Sequence, residues 1–590
     1  MGYLLSTDPD SRQRIGGYSE LARNHWREIA ARGPETAAIH AGHDLFARYF
    51  CGPHHWQLLF EGYLDHEHSQ ITLESLIGDA ALSDEFQSRF ERLAGAYSLV
   101  AWNSDSGEII ATRDRTGART LFYAEHDGEL TLATSSDWVV RASGISRREE
   151  PRFIVSMLSL QQAPPPGLSA FEGVRELMPG EVLQFGSGKL TVTHTPRDFD
   201  ALISAGQVKR RGDDWADEFL QLFNNAVISC LPDAGDVACM LSGGLDSGPT
   251  AVLADVYLNA LGRELRAISW SLKAYPECDE TRWIKMAEER LRHSVDFCDL
   301  SHALPFSRLD ASVIAPDLPL YNAFRPLVND CYERAARLGC RVLLNASTAD
   351  QIYPPRRWLH LDRLGRRQIS LLWQDLRASY RSSGLSGLVH NPAVRHPLGQ
   401  FLAPWRYRST PPTWLSPEAE RLWRPSSAWP RESGTTPQPE FTRQLFGAPM
   451  AFGVAHEAGM AQRYGVDRRD PFQNEALLAF MLKAPFELSW RNGLTKAIMR
   501  RAIKGDLPEE ILEKGRSGRL EPFYQAGVES NQGQLARLCA GPEAELRRYL
   551  RVERIRALLQ ANGQDPEALL SVSAGYAVWR RATFNIGSES

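Results

Sequence analysis

The run Met240-Leu241-Ser242-Gly243-Gly244-Leu245-Asp246-Ser247 constrains this chain more than any other stretch. It follows an apolar segment, Asp236–Leu241, that reads as a strand, and leads into a helical one, Gly248–Leu261. Two glycines let the backbone close on a ligand, Ser242 and Ser247 supply hydroxyl donors, and the N–H groups that open the helix favour an anion. The turn therefore reads as a cradle for pyrophosphate. Asp246 adds a carboxylate where phosphate alone needs none, which makes sense if it holds a Mg²⁺ ion bridging phosphate oxygens. A P-loop would need Gly-Lys-Ser/Thr, which is missing here. The competing reading is a glycine-rich turn between core elements; strand, SGGxDS and helix in that order speak against it.

Strands and helices alternate around this loop: a helix at Trp215–Ile228, a strand at Leu265–Leu272, a helix at Asp279–Leu291, a strand at Val295–Cys298, a helix at Leu327–Leu338 and a strand at Arg341–Asn345. That order implies a parallel, doubly wound α/β sheet. Ligands of such sheets sit at the carboxyl ends of the strands, so Leu241, Leu272 and the Asn345–Ala346 backbone are candidates for base and ribose contacts. Each could equally be plain core. Residues 355–590 read as mostly helical, with a Pro/Ser/Trp-rich stretch at 403–440 expected to be a mobile insertion. From Ala37 to Ala142, short alternating segments such as Trp56–Phe60, Tyr97–Trp102, Glu108–Thr112 and Leu130–Ala133 predict an antiparallel sheet layer. Helices are expected at Ser19–Ala31 and Asp84–Leu93, giving an α+β unit. A polar linker near Asp198–Gly212 separates two domains, 1–200 and 213–590.

Length and composition agree with this division. A chain of 590 residues is too long for one core, and 43% apolar with 24% charged residues is the balance of a soluble globular protein. A net charge of −5 gives no field that argues for nucleic acid or an anionic membrane. Eight cysteines without a CxxC pair suit a reduced compartment, and no signal-peptide core or membrane span is evident, so a cytoplasmic protein is expected.

The loop and its context resemble the asparagine synthetase B family, whose synthetase domain is an adenine nucleotide alpha hydrolase-like (PP-loop) fold opened by SGGLDS. In the N-terminal part, Glu61-Gly62-Tyr63-Leu64, Gly95-Ala96-Tyr97, Arg113-Asp114-Arg115-Thr116-Gly117 and Leu121-Phe122-Tyr123 look like that family's glutaminase domain, an Ntn-hydrolase-like unit. Leu177-Met178-Pro179-Gly180-Glu181 resembles its pre-linker motif. Tyr464-Gly465-Val466-Asp467 through Pro471-Phe472, then Gly493-Leu494-Thr495-Lys496 and Leu507-Pro508, follow its order toward the C-terminus.

Departures from the family pattern narrow the reading. A working glutaminase of this family exposes an N-terminal cysteine, but the second residue here is Gly2, so no glutamine hydrolysis is expected. Relatives without that cysteine include lasso-peptide macrolactam cyclases and β-lactam synthetases, which adenylate a carboxylate for attack by an amine of the same substrate. Leu344-Asn345-Ala346-Ser347-Thr348-Ala349-Asp350-Gln351 resembles the family's second pyrophosphate loop, with Asp350 as a second Mg²⁺ carboxylate opposite Asp246. Ala346 and Thr348 replace the family's glycines. Ser347 stands where the family has Glu, or Tyr in β-lactam synthetases, and cannot serve as the same base. Lys496, expected in a helix, looks like the lysine that reaches the departing pyrophosphate. Arg468 and Arg469 read as a helical pair on a solvated face, Arg516 likewise, and Asp279 and Glu280 as helix-capping acids.

The resemblance implies ATP and Mg²⁺ as cofactors and an acyl-adenylate as intermediate. Lasso-type cyclisation of a precursor peptide, beside a leader-processing protease, is the leading expectation, and pairing into a homodimer is common in such architectures. Rivals are an asparagine synthetase-like ligase using free ammonia and aspartate, a nucleotide-binding homologue without turnover and, weakest, a β-lactam-type cyclase.

Overall fold

A computed structural model describes residues 2–8, 26–30, 37–41, 47–52, 54–65, 72–77, 86, 88–160, 164–194, 212–310, 312, 314–319, 322–354, 359–365, 367–389, 391, 394, 410–425, 441, 444–446, 448–485, 488–491, 494–514, 519–541, 545–560 and 569–584. The polar linker near Asp198–Gly212 lies outside them except for Gly212 itself, as does Arg516.

The N-terminal region carries twelve strands among the described residues: β1 (Gly2–Ser6), β2 (Trp26–Ala30), β3 (Ala37–Ala41), β4 (Ala47–Cys51), β5 (Trp56–Leu64), β6 (Gly95–Asn103), β7 (Ile109–Arg113), β8 (Phe122–His126), β9 (Glu129–Ala133), β10 (Arg175–Glu176), β11 (Glu181–Gly186) and β12 (Lys189–His194). They form two antiparallel six-stranded sheets, ordered β10-β8-β9-β1-β3-β2 and β12-β11-β7-β6-β5-β4. Side chains alternate between faces along each strand. Tyr3 and Leu5 of β1 meet Leu59, Val100 and Trp102 of the other sheet in a core between the two. Leu58, Phe60, Leu99 and Ala101 point the opposite way, onto Phe86 and Phe90. Leu4, on the outer face of the first sheet, packs with the helices Ser136–Ser143 and Pro151–Leu158. The result is an αββα layering, the Ntn-type architecture. Where a helix was expected at Ser19–Ala31, the described part, Trp26–Ala30, is strand β2 paired with β3; an edge strand this short shows too little alternation to declare itself. The Asp84–Leu93 helix survives as helical residues at 86 and 88–90.

The second region is built on five parallel strands: β13 (Val237–Met240), β14 (Leu265–Ser271), β15 (Asp296–Asp299), β16 (Val342–Leu344) and β17 (Asp467–Arg469), ordered β15-β14-β13-β16-β17. Helices Gly212–Ser229, Ser247–Ala260, Thr281–Glu288 and Arg325–Arg337 cover its faces. The chain runs outward one way through β14 and β15, then returns to run the other way through β16 and β17. The topological switch point therefore falls between β13 and β16, where a ligand crevice is expected.

β17 corrects the reading of Arg468 and Arg469 as a solvated helical pair. Both lie in a strand and are buried, at 3% and 5% exposure. Their charges are met by partners far away in sequence, which no local pattern reveals. The 403–440 stretch is corrected in part: Pro417–Leu422 is a helix, and Leu415 just before it is fully buried. Residues 403–409 and 426–440 lie outside the described set. No helix among the described residues is long and apolar enough to cross a membrane.

Candidate active site

The two loops of interest leave the carboxyl ends of β13 and β16, neighbours across the switch point. Their chemistry follows from that adjacency. In the first loop the two serines lock the turn: Ser242 N donates to Ser247 Oγ at 2.8 Å and the two hydroxyls lie 2.9 Å apart. A Cβ on Gly243 would overlap the Cβ of Trp283, so only glycine lets the turn close against the helix Thr281–Glu288. Asp246 precedes the helix Ser247–Ala260, and its carbonyl accepts from Thr250 Oγ1 at 2.8 Å.

Lys496 joins the loops. Its Nζ lies 2.5 Å from Asp246 Oδ2 and 2.6 Å from Asp350 Oδ1. It was expected inside a helix; it stands instead just before the helix Ala497–Ala502, in the left-handed region at φ 58°. A non-glycine residue held there carries backbone strain, which concentrates at functional sites. Burial would lower the lysine pKa, but Asp246 and Asp350 together carry it above the usual value. Burial pushes the Asp246 carboxyl up, and Lys496 pulls back only part of that shift. Asp246 Oδ1 is buried without a hydrogen-bond partner. Asp350, in a single 3₁₀ turn (Ala349–Ile352), is exposed opposite it.

The second loop is held from behind. Asn345 N donates to Arg469 O at 2.9 Å, Arg468 donates to Asn345 Oδ1 at 3.2 Å and to Ser347 Oγ, and Thr348 N donates to Asp470 Oδ2 at 3.0 Å. Ser347 is thus an acceptor for a guanidinium rather than a base. Ala346 is partly buried against the apolar core. The other nucleotide-contact candidates fare differently. Leu241 is buried and its N–H donates to Ile268 O. Leu272 is fully buried, with its N–H on Asp279 Oδ1 and its carbonyl on Tyr275 N, so it offers a ligand neither side chain nor free backbone. Asp279 secures that strand end rather than a helix dipole, and Glu280 pairs with Lys514 at 2.7 Å.

Sequence reasoning passed over Lys514. Its ammonium donates to Gly243 O at 3.0 Å and lies 4.8 Å from the Trp283 ring centre, at the mouth of the first loop. The signal was present: a lysine just beyond the Leu507-Pro508 segment. Tyr353 was also missed; its buried hydroxyl has no partner and its ring lies 6.0 Å from Lys496 Nζ. Further back, Arg325 binds Glu457 Oε2 at 3.0 Å, and Tyr332 OH donates to the same oxygen at 2.9 Å.

A nucleotide-type parallel sheet fused to an αββα layer defines a synthetase with an amidotransferase-type domain. Residues 218–584 match the Asparagine synthase family model and residues 80–195 the Glutamine amidotransferase domain. The chain belongs to the asparagine synthase family and is an ATP-dependent, amide-forming ligase. It is similar to "Asparagine synthetase [glutamine-hydrolyzing] 3" of Bacillus subtilis, 21% identical over 456 residues, covering 74% of this chain and 69% of that protein. "Amidase chry2" of Gibberella zeae is 28% identical over 186 residues, 31% of this chain and 27% of that protein. A solved glutamine phosphoribosylpyrophosphate amidotransferase from B. subtilis covers 50% of this chain and 81% of that chain at 12% identity and TM-score 0.24, too loose a superposition to carry an argument.

Proposed function

We propose that the chain adenylates a carboxylate with ATP and passes the acyl group to an amine of the same substrate, as a lasso-peptide-type macrolactam cyclase does. The observation that carries this reading is Lys496 set across Asp246 and Asp350 at the mouths of the two loops. A substrate carboxylate oxygen attacks the α-phosphorus and pyrophosphate leaves; the amine then attacks the acyl carbon, loses a proton and AMP departs. Lys496 supplies positive charge where the leaving pyrophosphate gathers negative charge, and the first loop offers N–H and hydroxyl donors to the same oxygens.

The residues also suit Mg²⁺. Magnesium is commonly held by one or two carboxylates plus phosphate oxygens, and Asp246, with a buried unpartnered oxygen, faces the exposed Asp350. Among the described residues no cluster of three or more His, Cys, Asp or Glu could hold a metal alone, so phosphates would complete the set. The ion would neutralise phosphate charge. An internal amine is part of the same proposal, and Cys51, the first cysteine in the sequence, is at the far end of the edge strand β4. A precursor peptide, a leader-processing protease, a cytoplasmic setting and a homodimer belong to the same proposal.

Asp246→Asn should abolish AMP formation from ATP, and wild-type protein given glutamine should release no glutamate. Unchanged nucleotide consumption in that variant defeats the site assignment, whereas glutamate release defeats only the internal-amine reading. The match to 69% of an asparagine synthetase keeps one alternative in play, ligation of free ammonia to aspartate. Pyrophosphate exchange into ATP that depends on aspartate would select it.

A further inference from the structure

The amidotransferase-type domain shares buried contacts with the synthetase, and one set of them leads to the second loop. Asp114, at the end of β7, folds the segment after it by accepting from Thr116 N at 3.0 Å, Ala118 N at 2.9 Å and Arg119 N at 3.0 Å. That turn presents Arg119, whose Nη2 lies 2.5 Å from Asp467 Oδ1 with both side chains under 5% exposed. Asp467 Oδ2 accepts from Arg469 Nε at 2.7 Å, and the Arg469 guanidinium lies 4.5 Å from the centre of the Tyr63 ring, again in the N-terminal domain. Gln462 adds a bond to Glu61 Oε1 at 2.6 Å.

Alternation along β17 converts this boundary into control of the site. Asp467 and Arg469 share the face toward the N-terminal domain, so Arg468 between them points the other way. There it binds Asn345 Oδ1, Ser347 Oγ and, at 3.3 Å, Asp470 Oδ2. The side chains of Arg468 and Asp470 are fully buried. A buried guanidinium is strongly destabilised by the loss of a partner, so these contacts support one another.

We propose that the amidotransferase-type domain acts as a brace for the synthetase: Arg119, through Asp467, fixes β17 so that Arg468 holds the second loop and keeps Asp350 opposite Lys496. Arg119, Asp467 and Arg468 are positioning residues, since none of them reaches the first loop. This rests on the reading that the two loops form one nucleotide site, but its test needs no nucleotide.

Hydrogen exchange of the 590-residue chain without ligand is the measurement. In Arg119→Met, amides of residues 345–352 should exchange about tenfold faster while those of β13 and β14 keep their wild-type rates. Arg119→Lys, which keeps the charge, should fall between, and serves if the methionine variant folds poorly. Arg119→Met combined with Arg468→Met should be no faster than Arg468→Met alone, because both changes act on one chain of contacts. Arg115→Met, which breaks a different bond across the same boundary, the 3.0 Å pair with Glu475, should leave the loop unaltered. Unchanged exchange at 345–352 in Arg119→Met, a uniform acceleration across the protein, or additive effects in the double variant would each overturn the brace. Failure of the nucleotide reading would show separately, as wild-type protein that forms no AMP.

Discussion

Gly243 sits where one added carbon decides whether the loop closes. The methyl of Gly243→Ala would overlap the Trp283 Cβ, so the neighbour cannot yield by rotating its ring. Overpacking of this kind typically destabilises by about 1–3 kcal/mol, and here it would also open the turn that Ser242 and Ser247 lock. We expect Gly243→Ala to lose nucleotide turnover and to lower the melting temperature. Pairing it with Trp283→Ala should not restore activity, because alanine keeps the offending Cβ; a recovery of AMP formation in that double variant would contradict the packing account. Lys496 shows the complementary case, a side chain whose two carboxylate partners lie in segments that the sequence had already singled out, though its left-handed backbone was not foreseeable.

Among elements, the helices Arg325–Arg337 and Ala448–Gln462 are joined by buried charge. Burial alone would raise the Glu457 carboxyl, but Arg325 brings it down to about 2; burial and the same guanidinium drive His456 down to about 4. In the unfolded chain His456 titrates near 6.5 and binds the proton that the folded state refuses. Stability should therefore fall as pH drops from 6.5 to 4, by up to about 3 kcal/mol, and Glu457 adds a further loss below 4.5. His456→Gln should flatten the melting temperature between pH 6.5 and 4.5; an unchanged slope would mean another group is responsible. The elements also show what sequence can and cannot disclose. β13, its loop and the following helix were legible because hydrophobic run, turn chemistry and helix start follow one another directly in the sequence between Val237 and Ala260. β17 was not, because three charged residues read as a strand only once Arg119, 348 positions away, is known to neutralise one of them. β2 was hidden for a different reason, since five residues carry too little alternation to outweigh helical propensity nearby.

Across the whole molecule, the boundary between the two family regions is not a boundary in the core. One apolar cluster runs from Leu4, Phe122, Val139 and Phe153 in the first region to Tyr549, Leu570 and Trp579 in the second. Glu149 accepts from Tyr549 OH at 2.8 Å and Tyr576 OH at 3.0 Å across the same divide. Heating should therefore give one calorimetric transition for both regions rather than two. Trp579→Ala, which empties a fully buried site, should shift that whole transition downward, at a loss of about 3–5 kcal/mol. A variant whose first region melts early while the second keeps its wild-type midpoint would refute the shared core.

The helix Leu569–Phe584 lies against Pro151–Leu158, so the first region borrows part of its interior from residues made long after its own last strand. During synthesis that region emerges with a raw apolar flank and must wait for Leu569–Phe584 before it can seal. A ribosome stalled short of Leu569 would hold an exposed, sticky intermediate, the stage at which a chaperone has most to offer.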